Sequence, residues 1–253
     1  MSKHGMRSRI SVSILSLFLS TSVPAFAQAP AAPPPPPGWT GSVGGGLALT
    51  KGNSDTSTLN VGADVLRDYG TDVVFKAAGL LLRGANGGVD NVDRSQADAR
   101  LGYTLSPRLT AFGQTTFARD RFKAIDYLLA PTAGLAYKLV AQERTEWIVD
   151  GSVGLVFEKN RGLDVDTSGA LLAGEKLAYK LGEKSKITHA ATGLWKMKEF
   201  DDAFYTLSAG LLTSIAGNFD LKTEFLSTYK NKLTNPLLKK ADQSIVLSVV
   251  YKY

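Results

Sequence analysis

Histidine is scarce in this chain, and its scarcity limits the acid–base chemistry that the sequence can support. The two histidines are His4 and His189, and His4 lies in an N-terminal segment that resembles a targeting signal. A nucleophilic hydrolase needs a base within hydrogen-bond reach of its serine, so His189 is the one candidate for a general base. A hydrolase reaction would therefore depend on a single side chain, which lies just after the polar segment GEKS at 182–185.

Metal and phosphate sites are also weakly indicated. Asp90, Asn91 and Asp93 in NGGVDNVD at 86–93 offer oxygen ligands for a hard cation such as calcium. The spacing lacks a terminal bidentate carboxylate, and the same residue types are ordinary in turns. The run Gly44–Gly46 is not followed by Lys and Ser or Thr, so it favours barrel curvature or close packing over phosphate binding. There is no cysteine. We expect no catalytic residue, no cofactor and no metal site.

Alternation of apolar and polar residues is the dominant pattern from Trp39 onward, and it predicts strands. In the last segment, SIVLSVVYKY, one face carries Ile245, Leu247, Val249, Tyr251 and Tyr253, and the other face is mixed. The pattern predicts twelve strands, at 41–50, 57–68, 72–83, 94–105, 108–118, 127–139, 145–157, 168–180, 186–197, 204–215, 218–229 and 243–253.

The connections between these segments alternate in length and polarity. Short ones such as SPR at 106–108 and AQER at 141–144 alternate with longer polar ones such as RGANGGVDNVD at 83–93. This asymmetry is typical of transmembrane barrels, with short periplasmic turns and longer extracellular loops. The sequence therefore predicts an all-β fold, a single closed antiparallel transmembrane β-barrel of about 12 strands. Closure would pair the last strand with the first and leave no backbone group unpaired in hydrocarbon.

Charged residues recur on the face of each strand that would line the barrel interior. Those predicted to line the lumen are Lys76, Arg100, Lys138, Asp150, Lys176, Lys196, Asp220, Lys222 and Glu224. Two interpretations are open: a salt-bridged interior that is solvated, or a narrow pore with a weak preference for anions. Eight strands leave an interior filled by side chains, and about 16–18 strands leave a channel. A count of twelve strands therefore does not decide between the two interpretations.

Three positions fit the barrel poorly. Glu175 and His189 fall on faces that should contact lipid, and Pro131 lies inside the predicted strand 127–139. Proline in a sheet belongs at bulges or strand starts, so we expect the paired part of that strand to begin at Pro131. Local bulges or a one-residue error of register would explain the other two.

The N-terminus has the pattern of an export signal. Positive residues precede an apolar stretch at 10–19, and Ala25-Phe26-Ala27 supplies the small residues of a cleavage site. We expect residues 1–27 to be a cleaved signal peptide, 28–38 a Pro-rich periplasmic leader, and 39–253 the barrel. Cleavage would lower the formal charge from +6 to +3 by removing three basic residues, so basicity argues little for nucleic acid as a partner.

The segments KGNSDTSTLN at 51–60 and FARDRFKAIDYLLAPTAGLAYKL at 117–139 resemble the family of salt-induced outer-membrane proteins. The resemblance extends from Trp39 to Tyr253 and implies a barrel in the cell outer membrane, surrounded by outer-membrane lipids. It carries no catalytic residues. The C-terminus resembles the assembly signal of such barrels, with Tyr251 and Tyr253 in the matching positions, which implies the barrel-assembly machinery as a partner. Ser248 stands where that signal usually has Gly, and Tyr253 replaces the commoner Phe.

Three functional hypotheses remain. The first is a narrow channel for small solutes, and the second is a structural or envelope-stress barrel without transport, as the salt-induced family suggests. The third is a lipid hydrolase, because some twelve-stranded outer-membrane barrels are lipases. His189 lies near a short turn, away from the long loops where such a lipase would act, so we expect the protein not to be an enzyme.

Overall fold

The predicted barrel is confirmed. The computed structural model describes residues 38–51, 56–86, 89–233 and 237–253. Over these residues twelve antiparallel strands close into one barrel, each pairing with its sequence neighbours and the last with the first. The strands are β1 (Trp39–Lys51), β2 (Thr56–Asp68), β3 (Val73–Asn86), β4 (Val89–Thr104), β5 (Leu109–Asp120), β6 (Ile125–Ala141), β7 (Thr145–Asn160), β8 (Val165–Lys180), β9 (Ser185–Lys196), β10 (Glu199–Ala216), β11 (Phe219–Lys230) and β12 (Ala241–Lys252).

Helical structure is minor in the described ranges. A short 3-10 helix, Arg121–Lys123, lies between β5 and β6. No helix within those ranges is long and apolar enough to cross a membrane. The expected signal peptide at 1–27 and all but the last residue of the leader at 28–38 lie outside the described residues.

Side chains alternate regularly between the two sides of the barrel wall. Large apolar side chains at odd-numbered positions are mostly exposed, as at Leu47 (64%) and Ile245 (53%). Apolar side chains at even-numbered positions are mostly buried, as at Ala48 (0%) and Val246 (3%). Soluble monomers rarely expose so continuous an apolar surface. The odd-numbered face therefore suits a hydrocarbon environment, and the even-numbered face forms the lumen.

The seam between β1 and β12 closes the sheet with tight packing. Tyr253 and Gly41 exchange two backbone hydrogen bonds, of 3.1 and 3.2 Å. A Cβ at Gly46 would overlap the carbonyl oxygen of Leu247, whereas a Cβ at Gly45 would meet its nearest neighbour at 3.7 Å. The prediction that this glycine run serves close packing is confirmed at Gly46.

The predicted long connections are shorter than expected, because the strands continue into them. Where a connection was predicted at 83–93, β3 runs to Asn86 and β4 begins at Val89. Similarly, β10 begins at Glu199 rather than at 204. The alternation that marks a strand in the sequence stops at the edge of the apolar surface. The backbone hydrogen bonds of the strand continue further, because polar residues can also pair. We call the end of the barrel that carries these connections the loop side, and the opposite end the turn side.

The three poorly fitting positions have different outcomes. Strand β6 does not begin at Pro131 but six residues earlier, and its register with β7 is the same before and after Pro131. Glu175 and His189 face outward as their positions predicted, and β8 pairs with β7 and β9 without a register shift. Their side chains contact each other at 3.2 Å, which partly compensates their polar character on this face.

Candidate functional site

A ring of four alternating charges lies inside the barrel near the loop side. The carboxylate of Glu158 contacts the ammonium groups of Lys196 and Lys230, each at 2.9 Å. The carboxylate of Asp202 contacts the same two groups at 2.7 and 2.9 Å. We call these four residues the ion-pair ring. The side chain of Glu158 is completely buried, and those of the two lysines are 4–6% exposed.

Asp166 adds a third carboxylate to the ring. It contacts Lys196 at 2.8 Å, and its side chain is half-exposed. The ring and Asp166 together take one residue from each of the strands β7 to β11. Because buried charges are costly unless they are paired, the position of each member depends on the others.

A second contact crosses the lumen from the connection between β5 and β6. Asp120 caps the 3-10 helix by accepting hydrogen bonds from the backbone N–H groups of Phe122 and Lys123. The cap directs Lys123 inward, where its ammonium contacts Asp242 at 3.1 Å and Thr228 Oγ1 at 3.3 Å. Burial lowers the pKa of Lys123, and the carboxylates of Asp242 and Asp120 oppose that shift.

Lys123 joins opposite sides of the barrel. Its partners lie on β11 and β12, which are half the barrel circumference away from β5. Arg94 on β4 also donates a hydrogen bond to Thr228, at 3.2 Å. We call Lys123 and the ion-pair ring together the plug.

Apolar side chains fill the space beside the plug. One buried cluster takes residues from β5 to β9, among them Leu128, Val156 and Leu172. A second takes residues from β1, β3, β4 and β12, among them Leu82 and Val246. The lumen is therefore packed with side chains at this level, in contrast to the solvated pore that one sequence interpretation allowed.

The turn-side half of the lumen contains a chamber of about 660 Å³. Three of the predicted lumen residues, Asp220, Lys222 and Glu224, line it. Lys222 contacts Glu224 at 2.9 Å, and Lys252 contacts Asp220 at 2.8 Å. These contacts neutralise two of the carboxylates in the chamber wall. We call this cavity the turn-side chamber.

The other predicted lumen residues lie at two levels. Lys196 belongs to the plug, whereas Arg100 on β4 contacts Asp150 on β7 at 2.8 Å. Lys76 is the cross-strand neighbour of Arg100. Lys138 and Lys176 flank β7, where each is paired with Ile148. Lys76 lies within electrostatic range of Lys176, Glu146, Arg100 and Lys138, so this part of the wall carries more positive than negative charge.

The residues considered for catalysis and metal binding have ordinary partners. His189 contacts the carboxylate of Glu175, not a serine hydroxyl, among the described residues. Asp90 lies 3.6 Å from Arg121, and Asp93 lies 3.8 Å from Arg119. In the ranges that the structure describes, no group of three or more histidine or acidic side chains could hold a metal ion.

This geometry predicts that His189 has no catalytic role. We expect the H189Q variant to release fatty acid from phospholipid micelles at the same background rate as the unaltered protein. Loss of a measurable hydrolytic activity in that variant would contradict the prediction. E175Q, which alters the partner of His189, provides the matched control.

Two residues of the plug, Lys123 and Asp202, and Asp166 beside it escaped the sequence interpretation. Asp166 and Asp202 were placed in connections, but they lie in strands on the lumen face. Lys123 lies in a connection and reaches the lumen only because the 3-10 helix turns it inward. Asp120 is a preferred residue type for the N-cap of a helix, but nothing local indicates that Lys123 has partners on β11 and β12.

The fold and the lumen define the class of this protein as a closed, twelve-stranded antiparallel β-barrel. Within that class, a family model described as "Protein of unknown function, DUF481" matches residues 43–253, and the chain belongs to this family. The match covers nearly the same region as the predicted resemblance. Its description mentions no salt induction, so that property stays a prediction. No curated protein sequence matches the chain significantly.

Solved structures share the fold at low sequence identity. A structure of the NanC porin has a TM-score of 0.58 and 10% identity, and the match covers 85% of this chain and 100% of that one. The translocator domain of the autotransporter NalP from Neisseria meningitidis has a TM-score of 0.52 and 11% identity, with 85% and 88% covered. Both likenesses concern the fold alone.

Proposed function

We propose that this protein is an outer-membrane barrel that forms a gated conduit for small solutes and is closed in the state described here. The observation that carries this proposal is the division of the lumen. A buried plug fills the loop side, and a chamber of about 660 Å³ lies on the turn side. Side-chain contacts close the conduit, so it opens if the plug rearranges.

The outer-membrane location is supported by the exposed apolar face and by the export signal expected at 1–27. A barrel of this kind requires detergent for extraction. It also migrates differently on gels before and after boiling, because the closed sheet resists unfolding. Extraction of a folded monomer in plain buffer would contradict the location.

Assembly should depend on the C-terminal aromatic residue. Deleting Tyr253 removes both the proposed assembly signal and two backbone hydrogen bonds to Gly41. We expect less folded protein in the outer-membrane fraction, measured by the gel shift. The Y253F variant retains the aromatic ring and the backbone bonds and should assemble normally. Full assembly of the deletion variant would argue against the signal.

The conduit is tested by solute efflux from liposomes. Replacing Lys123 by alanine removes the contact that crosses the barrel, so the K123A variant should release small ions faster than the unaltered protein. The concentration of positive charge around Lys76, Arg100, Lys138 and Lys176 supports a weak preference for anions. Faster release of chloride than of potassium would agree with it, and the reverse order would remove the anion preference.

A second candidate is a structural or envelope-stress barrel that never conducts. The completeness of the ion-pair ring favours it, since each of the four charges contacts both opposite charges. If folded plug variants remain as tight to ions as the unaltered protein, this second function replaces the conduit. Induction by salt belongs to this candidate and is tested by transcript levels at raised osmolarity.

A further inference from the structure

The turn-side chamber contains a hydrogen-bond donor that its own wall does not satisfy. Asn60 is 2% exposed and lines the chamber. Its Oδ1 accepts a hydrogen bond from Ser248 at 3.0 Å, while its Nδ2 has no partner among the described residues. Leaving a buried amide donor unpaired is costly. A ligand with a hydrogen-bond acceptor would remove that cost.

Two carboxylates in the same chamber also lack close neutralising contacts. Asp64 accepts a hydrogen bond from the hydroxyl of Ser42, and Asp98 accepts one of 2.7 Å from Thr116. Hydroxyl groups stabilise a carboxylate but do not cancel its charge. Lys176 acts on Asp98 only through a longer-range attraction. The wall formed by β2 and β4 is therefore acidic, unlike the paired wall formed by β11 and β12.

The opposite wall supplies a positive charge. Lys186 on β9 lines the chamber, and five strand-to-strand steps separate β9 from β2, so the two elements face each other across the lumen. The other two lysines of the chamber wall, Lys222 on β11 and Lys252 on β12, are already paired with carboxylates. The chamber thus has an acidic wall, a cation opposite it, and an unpaired amide donor.

We propose that the turn-side chamber binds a small zwitterion with a free ammonium group and a free carboxylate, of about the size of a dipeptide. The ammonium group contacts Asp64 and Asp98, and the carboxylate is oriented toward Lys186 on the opposite wall. An uncharged acceptor of the ligand, such as its peptide oxygen, is oriented toward Asn60, which shares β2 with Asp64. The volume of about 660 Å³ falls within the range of sites for small organic ligands. This inference rests on the proposed function and names the class of solute that the conduit would accept.

The first test compares matched ligands on the unaltered protein. Folded protein in detergent is titrated with Ala-Ala, N-acetyl-Ala-Ala and Ala-Ala-amide, and binding is followed by saturation-transfer NMR. We expect Ala-Ala to bind at least tenfold more tightly than either blocked form, because each blocked form lacks one of the two charges. Equal binding of all three would overturn the proposal, as would preference for the amide alone, which would indicate a simple cation site.

The second test removes the acidic wall. The D64N/D98N variant keeps the shape of the chamber, and we expect it to weaken Ala-Ala binding at least tenfold. E175Q alters a carboxylate on the outer face and should bind Ala-Ala normally. Unchanged binding by the folded double variant would overturn the proposal.

The ligand site in the turn-side chamber and the conduit are tested by independent measurements. Binding is measured without any flux, so Ala-Ala binding together with ion-tight plug variants would retain the site and reject the conduit. Conducting plug variants that do not bind Ala-Ala would reject the site and retain the conduit. Each of these results therefore rejects one of the two proposals and retains the other.

Discussion

Replacing Glu158 by glutamine is expected to open the barrel and destabilise it. The substitution keeps the shape of the side chain but leaves Lys196 and Lys230 buried with one fewer carboxylate between them. Removing one partner of a buried ion pair costs roughly 3–5 kcal/mol. Asp202 still contacts both lysines and Asp166 still contacts Lys196, so we expect the lower end of that range.

The repulsion between the two lysines acts on the closed state, in which they lie closest. At about 1.4 kcal/mol for each factor of ten, a cost near 3 kcal/mol raises the open fraction by roughly a hundredfold. The measurements are unfolding in detergent by denaturant and single-channel recording. The E199Q variant is the control, since Glu199 pairs with Lys232 on the exposed rim and should affect neither property. An E158Q barrel as stable and as closed as the unaltered one would contradict this account of the plug.

Replacing Gly46 by alanine is expected to prevent closure of the barrel. The added Cβ would overlap the backbone of Leu247 on β12, and a backbone atom cannot move aside as a flexible side chain can. Overpacking costs on the order of 1–3 kcal/mol where side chains can adjust, and more where they cannot. We expect G46A to lose most of the heat-modifiable folded form.

The neighbouring glycine provides a matched control for this prediction. A Cβ at Gly45 meets its nearest atom at an ordinary 3.7 Å. G45A introduces the same chemical change one residue away, in the same strand and seam, and should fold normally. Equal folding of both variants would show that tight packing at Gly46 is not required for closure.

The barrel could be predicted from the sequence because its strands alternate strictly. A side-chain period of two places every second residue on one face, so the apolar face of the last strand, from Ile245 to Tyr253, was visible before the structure. The ends of the strands were less predictable. Asp202 lies in a polar run with the composition of a connection, yet β10 extends through it, with a register shift between Glu199 and Ala203.

The plug could not be predicted, because it depends on contacts between distant parts of the chain. Glu158 and Lys230 are 72 residues apart, and Lys123 and Thr228 are 105 apart. Alternation shows that such residues face inward, but not which of them meet or at what depth. The count of basic lumen residues consequently left open both a salt-bridged interior and a narrow pore with a weak preference for anions. It did not show that Lys196 and Lys230 are neutralised within the ring.

The most direct test of the closed lumen is single-channel recording of the refolded, unaltered protein in a planar bilayer. The gel shift would first establish that the barrel is folded. The closed plug predicts that the unaltered protein stays near the baseline, with rare openings that become frequent in E158Q. Steady, large conductance steps from the unaltered protein would contradict the account, because they would require an open passage where Glu158, Lys196 and Lys230 are buried.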